Sequence, residues 1–233
     1  MSVWFYELFG VAEALITGNN AMSNRTRIKI CGITENCDVQ SIVKQGVDAL
    51  GFIFVKESPR YILPEVARGI IRKIPPFIDV VGVFMNEDPV EVNDIAQYCG
   101  LTLVQLHGAE PPEYCETISC PIVKAFRVPS DEGISWAPYD GIVKGYLFDT
   151  YNKDKAGGTG EVFDWQLIEK MGLPAEIILA GGLSPENIGA AIASVQPYAV
   201  DVNSGVESAP GIKDIELIAQ LTAAVKKADM QSL

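Results

Sequence analysis

The chain has 233 residues, 48% of them hydrophobic, and sets 18 Lys and Arg against 30 Asp and Glu, a formal net charge of −12. That apolar content is enough for a substantial core and argues against disorder, while an acidic balance with no basic stripe argues against a nucleic-acid partner. Five cysteines, odd in number and without C-x-x-C spacing, fit a reducing cytoplasm rather than a disulfide framework, and a single histidine leaves a zinc or iron site short of ligands.

Residues 1–24 open with an apolar run over 3–16, which Glu7 and Glu13 interrupt and which no Lys or Arg precedes. It is too short to span a bilayer and lacks the basic start of a signal peptide. The expectation is an amphipathic, helical extension outside the main domain, a linker over 18–24, and Met22 as an alternative natural start. From Arg25 to residue 233 the pattern is that of one catalytic domain.

Short runs rich in Val, Ile, Leu and Phe predict strands near 27–31, 48–54, 79–84, 102–106, 121–125, 145–149, 176–180 and 198–202. Their mean repeat of about 24 residues suits one strand and one helix with short loops. Helix ends read as Thr34 to Gly46, Asp88-Pro89 to Gly100, and Asp164 to Gly172, with Ser184-Pro185 opening another and 213–228 forming the last. Pro129, Gly133 and Pro138 predict a degenerate fifth helix. Eight such units with no second composition regime predict a (β/α)₈ barrel, so chemistry is expected at the carboxyl ends of the strands.

Several residues fall there. Cys31, in Lys29-Ile30-Cys31-Gly32-Ile33-Thr34, ends the first strand where a helix dipole would favour a thiolate, although a lone cysteine is more often simply buried. Asp149 ends the sixth strand, where desolvation suits a carboxyl group to act as an acid, against the alternative of a turn-capping Asp. Arg60, in Ser58-Pro59-Arg60-Tyr61, offers a fork for a carboxylate. His107, in Gln105-Leu106-His107-Gly108, takes a site position with its role open, and Asp201 is divided between a structural hydrogen bond and substrate contact. The glycine loops Gly181-Gly182 and Asn203-Ser204-Gly205, at adjacent strand ends, let backbone N–H groups approach a phosphate. Gly157-Gly158-Thr159-Gly160 has the glycine density of a lid loop but equally that of a contact-free surface loop.

Taken in register, these six motifs resemble the phosphoribosylanthranilate isomerase family from about residue 27 to about residue 228. The resemblance implies a (β/α)₈ barrel, a cytoplasmic role in tryptophan biosynthesis, and a cofactor-free, metal-free Amadori rearrangement of N-(5-phosphoribosyl)anthranilate. By position it implies Cys31 as general base, Asp149 as general acid, Arg60 near the anthranilate carboxylate, and the two glycine loops as a phosphate cup. Asn203 departs from the serine of that pattern, and the first 24 residues lie outside it. A small phosphorylated substrate is the expected partner, without nucleic acid or membrane, the chain acting as a monomer or weak homodimer. Competing readings are a histidine-pathway barrel isomerase, which would resemble one using a carboxylate in place of Cys31, and a non-catalytic phosphosugar-binding barrel. A metal-dependent epimerase would need more histidines than this chain has.

Overall fold

The computed structural model describes residues 25–35, 37–128, 135–149 and 177–231. Eight parallel strands close into a barrel in sequence order. They are β1 (Arg27–Ile30), β2 (Ala49–Ile53), β3 (Asp79–Phe84), β4 (Leu103–Leu106), β5 (Ile122–Arg127), β6 (Gly145–Asp149), β7 (Ile177–Ala180) and β8 (Ala199–Val202). Closure is made by β8 on β1, with Arg27 opposite Ala199 and Ile30 opposite Val202. Each predicted strand is present, shifted by two residues or fewer at either end.

Alternation along the strands separates two apolar layers. Ile28, Ile30, Leu50, Phe52, Val104, Leu106, Phe148, Leu179, Val200 and Val202 belong to the large core shared with the helices. Val123, Ala125, Leu147 and Ala180 form a small cluster inside the barrel, and Cys31, Ile53 and Val83 form another nearer its carboxyl-terminal mouth. The interior positions also carry buried Lys29, Gln105 and Asp201. At the amino-terminal end, where Ala49, Gly145 and Ala199 are too small to fill the interior, a cavity of about 400 Å³ opens.

The described helices are α1 (Val39–Lys44), α2 (Pro64–Ile71), α3 (Pro89–Cys99), α4 (Pro112–Cys115), α5 (Ile188–Val195) and α6 (Ile215–Gln231). The ends of α3 match expectation: Asp88 accepts from the Val90 N–H at 2.8 Å, Pro89 comes first, and Gly100 closes the helix at φ 75°. Two starts are corrected. Asp38, not Thr34, caps α1 by accepting from the Ser41 N–H, because the Thr34 hydroxyl is spent on the Gly211 carbonyl at 2.6 Å. Ser184 sits four residues before the start of α5 at Ile188, its hydroxyl donating to Glu186 while Pro185 to Asn187 make a turn. Asp164 and Gly172 lie outside the described residues, as do residues 1–24 and the lid motif Gly157-Gly158-Thr159-Gly160.

The fifth unit is degenerate, as expected: between β5 and β6 the described chain makes only a 3₁₀ turn, Ala137–Tyr139. Aromatic side chains cover the strands there, Tyr139 edge-on to Phe126 at 5.5 Å and Trp136 edge-on to Tyr146 at 5.7 Å. Unexpectedly, α4 is also a single turn. The chain around it is held instead by a buried ion pair. Lys124 Nζ donates to Glu110 Oε2 at 2.9 Å and to the Gly108 carbonyl at 2.7 Å, and the Glu110 carboxylate accepts the N–H groups of Asn86 and Gly108. A short hairpin after β8, formed by β9 (Glu207–Ala209) and β10 (Ile212–Lys213), carries two further charged residues to the mouth.

Removing one partner of a buried pair strands the other charge. Lys124→Met is expected to cost about 3–5 kcal/mol in urea denaturation, with much of it recovered in Lys124→Met/Glu110→Gln. Equal stability of the single and double variants would contradict this account.

Candidate active site

Every site residue expected from the sequence and described in the structure lies at or beyond the carboxyl end of a strand, so the folded barrel gathers them at one mouth. Cys31 follows β1, its N–H donating to the Val202 carbonyl at 2.8 Å, and is 5% exposed. Two residues earlier, on the same inner face, Lys29 donates to Asp201 Oδ2 at 2.7 Å, with its charge close enough to act on the Cys31 thiol. Gly51 makes the room: a Cβ there would fall 2.8 Å from Cys31 Sγ and 3.1 Å from Lys29 Cε.

The electrostatics of this cluster are dominated by desolvation. Burial pushes the Cys31 thiol above its ordinary range; Lys29 and Lys213 pull it down, and Asp201 pushes it up. Burial opposes the Lys29 charge too, but Asp201 and Cys31 together hold its pKa above the ordinary ammonium value. The second oxygen of Asp201, Oδ1, is buried without a hydrogen-bond partner among the described residues. A buried carboxylate oxygen left in that state is an acceptor waiting for a donor.

Across the mouth, His107 Nε2 lies 3.3 Å from Asp149 Oδ2, both side chains about one-fifth exposed. The ring's other nitrogen, Nδ1, lies 3.0 Å from the side-chain nitrogen of buried Gln105. His107, a site position with its role open in the sequence, is set by the barrel between Gln105 and Asp149.

Arg60 is engaged more deeply than a surface fork. Its Nε and Nη2 donate to the Glu207 carboxylate at 2.6–3.1 Å. Glu207 also accepts from Lys213 Nζ at 2.7 Å, and Lys213 reaches the backbone and side-chain oxygens of Asn203, each at 3.0 Å. Burial would raise the Glu207 pKa, but Arg60 and Lys213 outweigh it and hold the carboxyl below its ordinary value. For Lys213 burial wins, and its pKa is lowered despite Glu207. Gly32, at φ 77°, lies beneath this network: a Cβ there would come 2.7 Å from both Arg60 Cδ and Asn203 Oδ1.

The two glycine loops stand side by side. Gly181 and Gly182 turn the chain after β7 at φ 96° and 62°. Gly205, in a 3₁₀ turn after β8, presses against them so closely that a Cβ would lie 1.9 Å from the Leu183 carbonyl oxygen. Only glycine allows that contact, which brings the N–H-bearing turns of Ser204 and Leu183 together.

Lys29, Gln105, Glu207 and Lys213 were missed as site residues. The first two could have been found, since each stands two residues before a site residue on the same strand face. Glu207 and Lys213 sit on a hairpin with no strong sequence signal. Among the described residues no group of three or more His, Cys, Asp or Glu side chains is arranged to hold a metal ion, and no helix is long and apolar enough to cross a membrane.

Because the Glu207 pKa is depressed by folding, its contribution to stability is present above the unfolded value of 4.5 and lost as pH falls through the folded one. Stability is expected to hold from pH 7 to about pH 5 and to fall as pH drops below 4.5 through the folded pKa, and Glu207→Gln to lower it at pH 7 while flattening that acid slope. An unchanged slope in urea denaturation would count against the coupling.

The family model described as "PRAI: N-(5'phosphoribosyl)anthranilate (PRA) isomerase" matches residues 28–224. The N-(5'-phosphoribosyl)anthranilate isomerase of Citrifermentans bemidjiense is 50% identical over 202 residues, covering 87% of this chain and 98% of that protein. The crystal structure of phosphoribosyl anthranilate isomerase from Thermotoga maritima superposes with a TM-score of 0.78 at 42% identity, covering 87% of this chain and 99% of the other. A phosphoribosyl anthranilate isomerase structure in complex with reduced 1-(o-carboxyphenylamino)-1-deoxyribulose 5-phosphate gives a TM-score of 0.76 at 41% identity, with the same coverage. With this extent of match laid over a barrel mouth that carries the thiol, the carboxyl group and the paired glycine loops, the chain belongs to the N-(5'-phosphoribosyl)anthranilate isomerase family of tryptophan biosynthesis.

Proposed function

We propose that Cys31 is the general base and Asp149 the general acid in the conversion of N-(5'-phosphoribosyl)anthranilate to 1-(2-carboxyphenylamino)-1-deoxyribulose 5-phosphate. The observation that carries this reading is the presence, at one barrel mouth, of a buried thiol beside Lys29 and a carboxyl group held by His107. One can take a proton and the other can give one. Asp149 protonates the ribose ring oxygen as its bond to C1 breaks, and the amine lone pair closes a C=N bond. Cys31, as thiolate, then removes the C2 proton, and the C–H electrons form an enolamine that tautomerises to the ketose.

This needs a protonated carboxyl group and a thiolate together, the reverse of their ordinary order, by about 4.6 units or about 6 kcal/mol. Burial of Cys31 widens that gap, and the ammonium groups of Lys29 and Lys213 narrow it. The loops around Gly181-Gly182 and Asn203-Ser204-Gly205 hold the phosphate through backbone N–H groups, which suits a chain whose net charge offers an anion no long-range attraction. Asp201 uses its unpartnered Oδ1 to accept a substrate hydroxyl. Arg60, fixed by Glu207, faces the anthranilate carboxylate. All these groups come from one chain, so a monomer suffices and a weak homodimer adds nothing the chemistry needs. The cysteines described are all free thiols, which supports a cytoplasmic setting. Residues 25–233 form the catalytic barrel and residues 1–24 an extension outside it.

Turnover is read from the fluorescence loss of freshly generated phosphoribosylanthranilate. Cys31→Ala and Asp149→Asn are each expected to lower kcat by about 10²–10⁴ with the fold intact; near-normal turnover in either removes that residue from its role. Arg60→Ala should raise KM by about tenfold or more, as loss of a charge-assisted contact does, with a smaller effect on kcat. An unchanged KM would end the carboxylate assignment.

A further inference from the structure

His107 is the only histidine in the chain, and both of its ring nitrogens have partners. Nδ1 faces the Gln105 side-chain nitrogen at 3.0 Å, and Nε2 faces Asp149 Oδ2 at 3.3 Å. Gln105 is 2% exposed, so its amide is fixed inside the barrel. The His107 backbone is equally constrained. Its N–H donates to the Phe84 carbonyl at 2.8 Å, and the next residue is clamped by the Glu110 carboxylate on its N–H and by Lys124 on its carbonyl.

An amide nitrogen only donates, so Nδ1 is the acceptor and the neutral ring carries its proton on Nε2, directed at Asp149. The reverse amide orientation would move the proton to Nδ1 and turn the Nε2 lone pair onto the carboxyl oxygen, a repulsive contact for a carboxylate. For a carboxylic acid that lone pair would instead accept from a hydroxyl on Oδ2, so the amide orientation selects the role of Oδ2, and the orientation present makes it the acceptor.

We infer that Gln105, acting through His107, determines which oxygen of Asp149 carries the catalytic proton. The inference rests on Asp149 being the general acid. An N–H donated to Oδ2 keeps that oxygen an acceptor and favours the hydroxyl on Oδ1. The proton cannot drift to His107, because Nε2 has no lone pair to receive it and protonation of Nδ1 requires breaking the contact to Gln105. When the Oδ1–H bond breaks, its electron pair stays on the carboxylate and the proton passes to the ribose ring oxygen. The His107 Nε2, 3.3 Å from Oδ2, is placed to stabilise the negative charge that this step creates. Gln105 and His107 are therefore positioning residues: each acts on the acid and neither on the reacting atoms.

A single histidine makes the test direct, since ¹⁵N-histidine labelling gives one pair of ring signals. At the pH of maximal rate the wild type is expected to show a neutral ring protonated on Nε2. Gln105→Met should move the signals toward a mixture of tautomers and lower kcat about tenfold, the effect of one lost hydrogen bond, with KM within about twofold. A wild-type ring protonated on Nδ1, a doubly protonated ring at that pH, or a Gln105→Met protein with unchanged spectrum and kcat would overturn the inference. Should Gln105→Met fail to fold, His107→Gln and His107→Leu decide: the glutamine keeps an N–H for Asp149 and should retain the higher kcat, and equal rates overturn the inference. Asp149→Asn separates the two levels. Normal turnover there overturns the acid and this inference together, whereas an inactive Asp149→Asn with the wrong wild-type tautomer overturns this inference alone.

Discussion

Packing in and around a closed parallel barrel denies water to buried side chains, so any charge placed there must find its counter-charge within the protein. Lys29 reaches Asp201, Lys124 reaches Glu110, and Lys213 shares Glu207 with Arg60. These pairs are costly to bury; Lys124–Glu110 and the Arg60–Glu207–Lys213 network are each satisfied by several contacts, while Asp201 keeps one oxygen unpartnered among the described residues. Their positions around the carboxyl-terminal mouth give the site its shape: one fixes the loop that bears His107, one sits beside the Cys31 sulfur, and one anchors the arginine and the asparagine that overlie Gly32.

The same desolvation sets the chemistry. A thiol in this interior is held protonated by burial, and the cations that oppose that effect are themselves tied to carboxylates. The Cys31 thiol therefore stands under opposing influences, burial and Asp201 raising its pKa and Lys29 and Lys213 lowering it, with burial the largest. Asp149 meets a different neighbour, His107 Nε2 at 3.3 Å, whose other ring nitrogen lies 3.0 Å from the Gln105 amide. Charge controls one side of the mouth and hydrogen-bond direction the other.

Compactness of the loops matters as much. The glycine loops after β7 and β8 touch through Gly205 and the Leu183 carbonyl, and the β1 turn runs beneath Arg60 and Asn203 because Gly32 has no side chain. Where the described chain after β5 makes only a 3₁₀ turn, aromatic rings cover the strands; where the helix after β4 is a single turn, the Lys124–Glu110 pair holds the chain around it. The barrel keeps its mouth rigid while its outer layer is irregular.

Strand positions, the caps of α3, the weak fifth unit and the placing of Cys31 and Asp149 at strand ends were legible in the sequence, because each depends on local periodicity or on residues a few positions apart. The start of α1 was misread for a tertiary reason: Thr34 has the right chemistry for a cap, but Gly211, 177 residues away, claims its hydroxyl. Arg60 and Glu207 lie 147 residues apart and Lys29 and Asp201 172 apart, separations at which no spacing rule operates. The sequence by itself determined which residues reach the mouth, since a period of two and the end of each strand are local properties. Only the closed tertiary structure decided which of them touch, because register and barrel closure, not spacing, bring β1 against β8 and set His107 between Gln105 and Asp149.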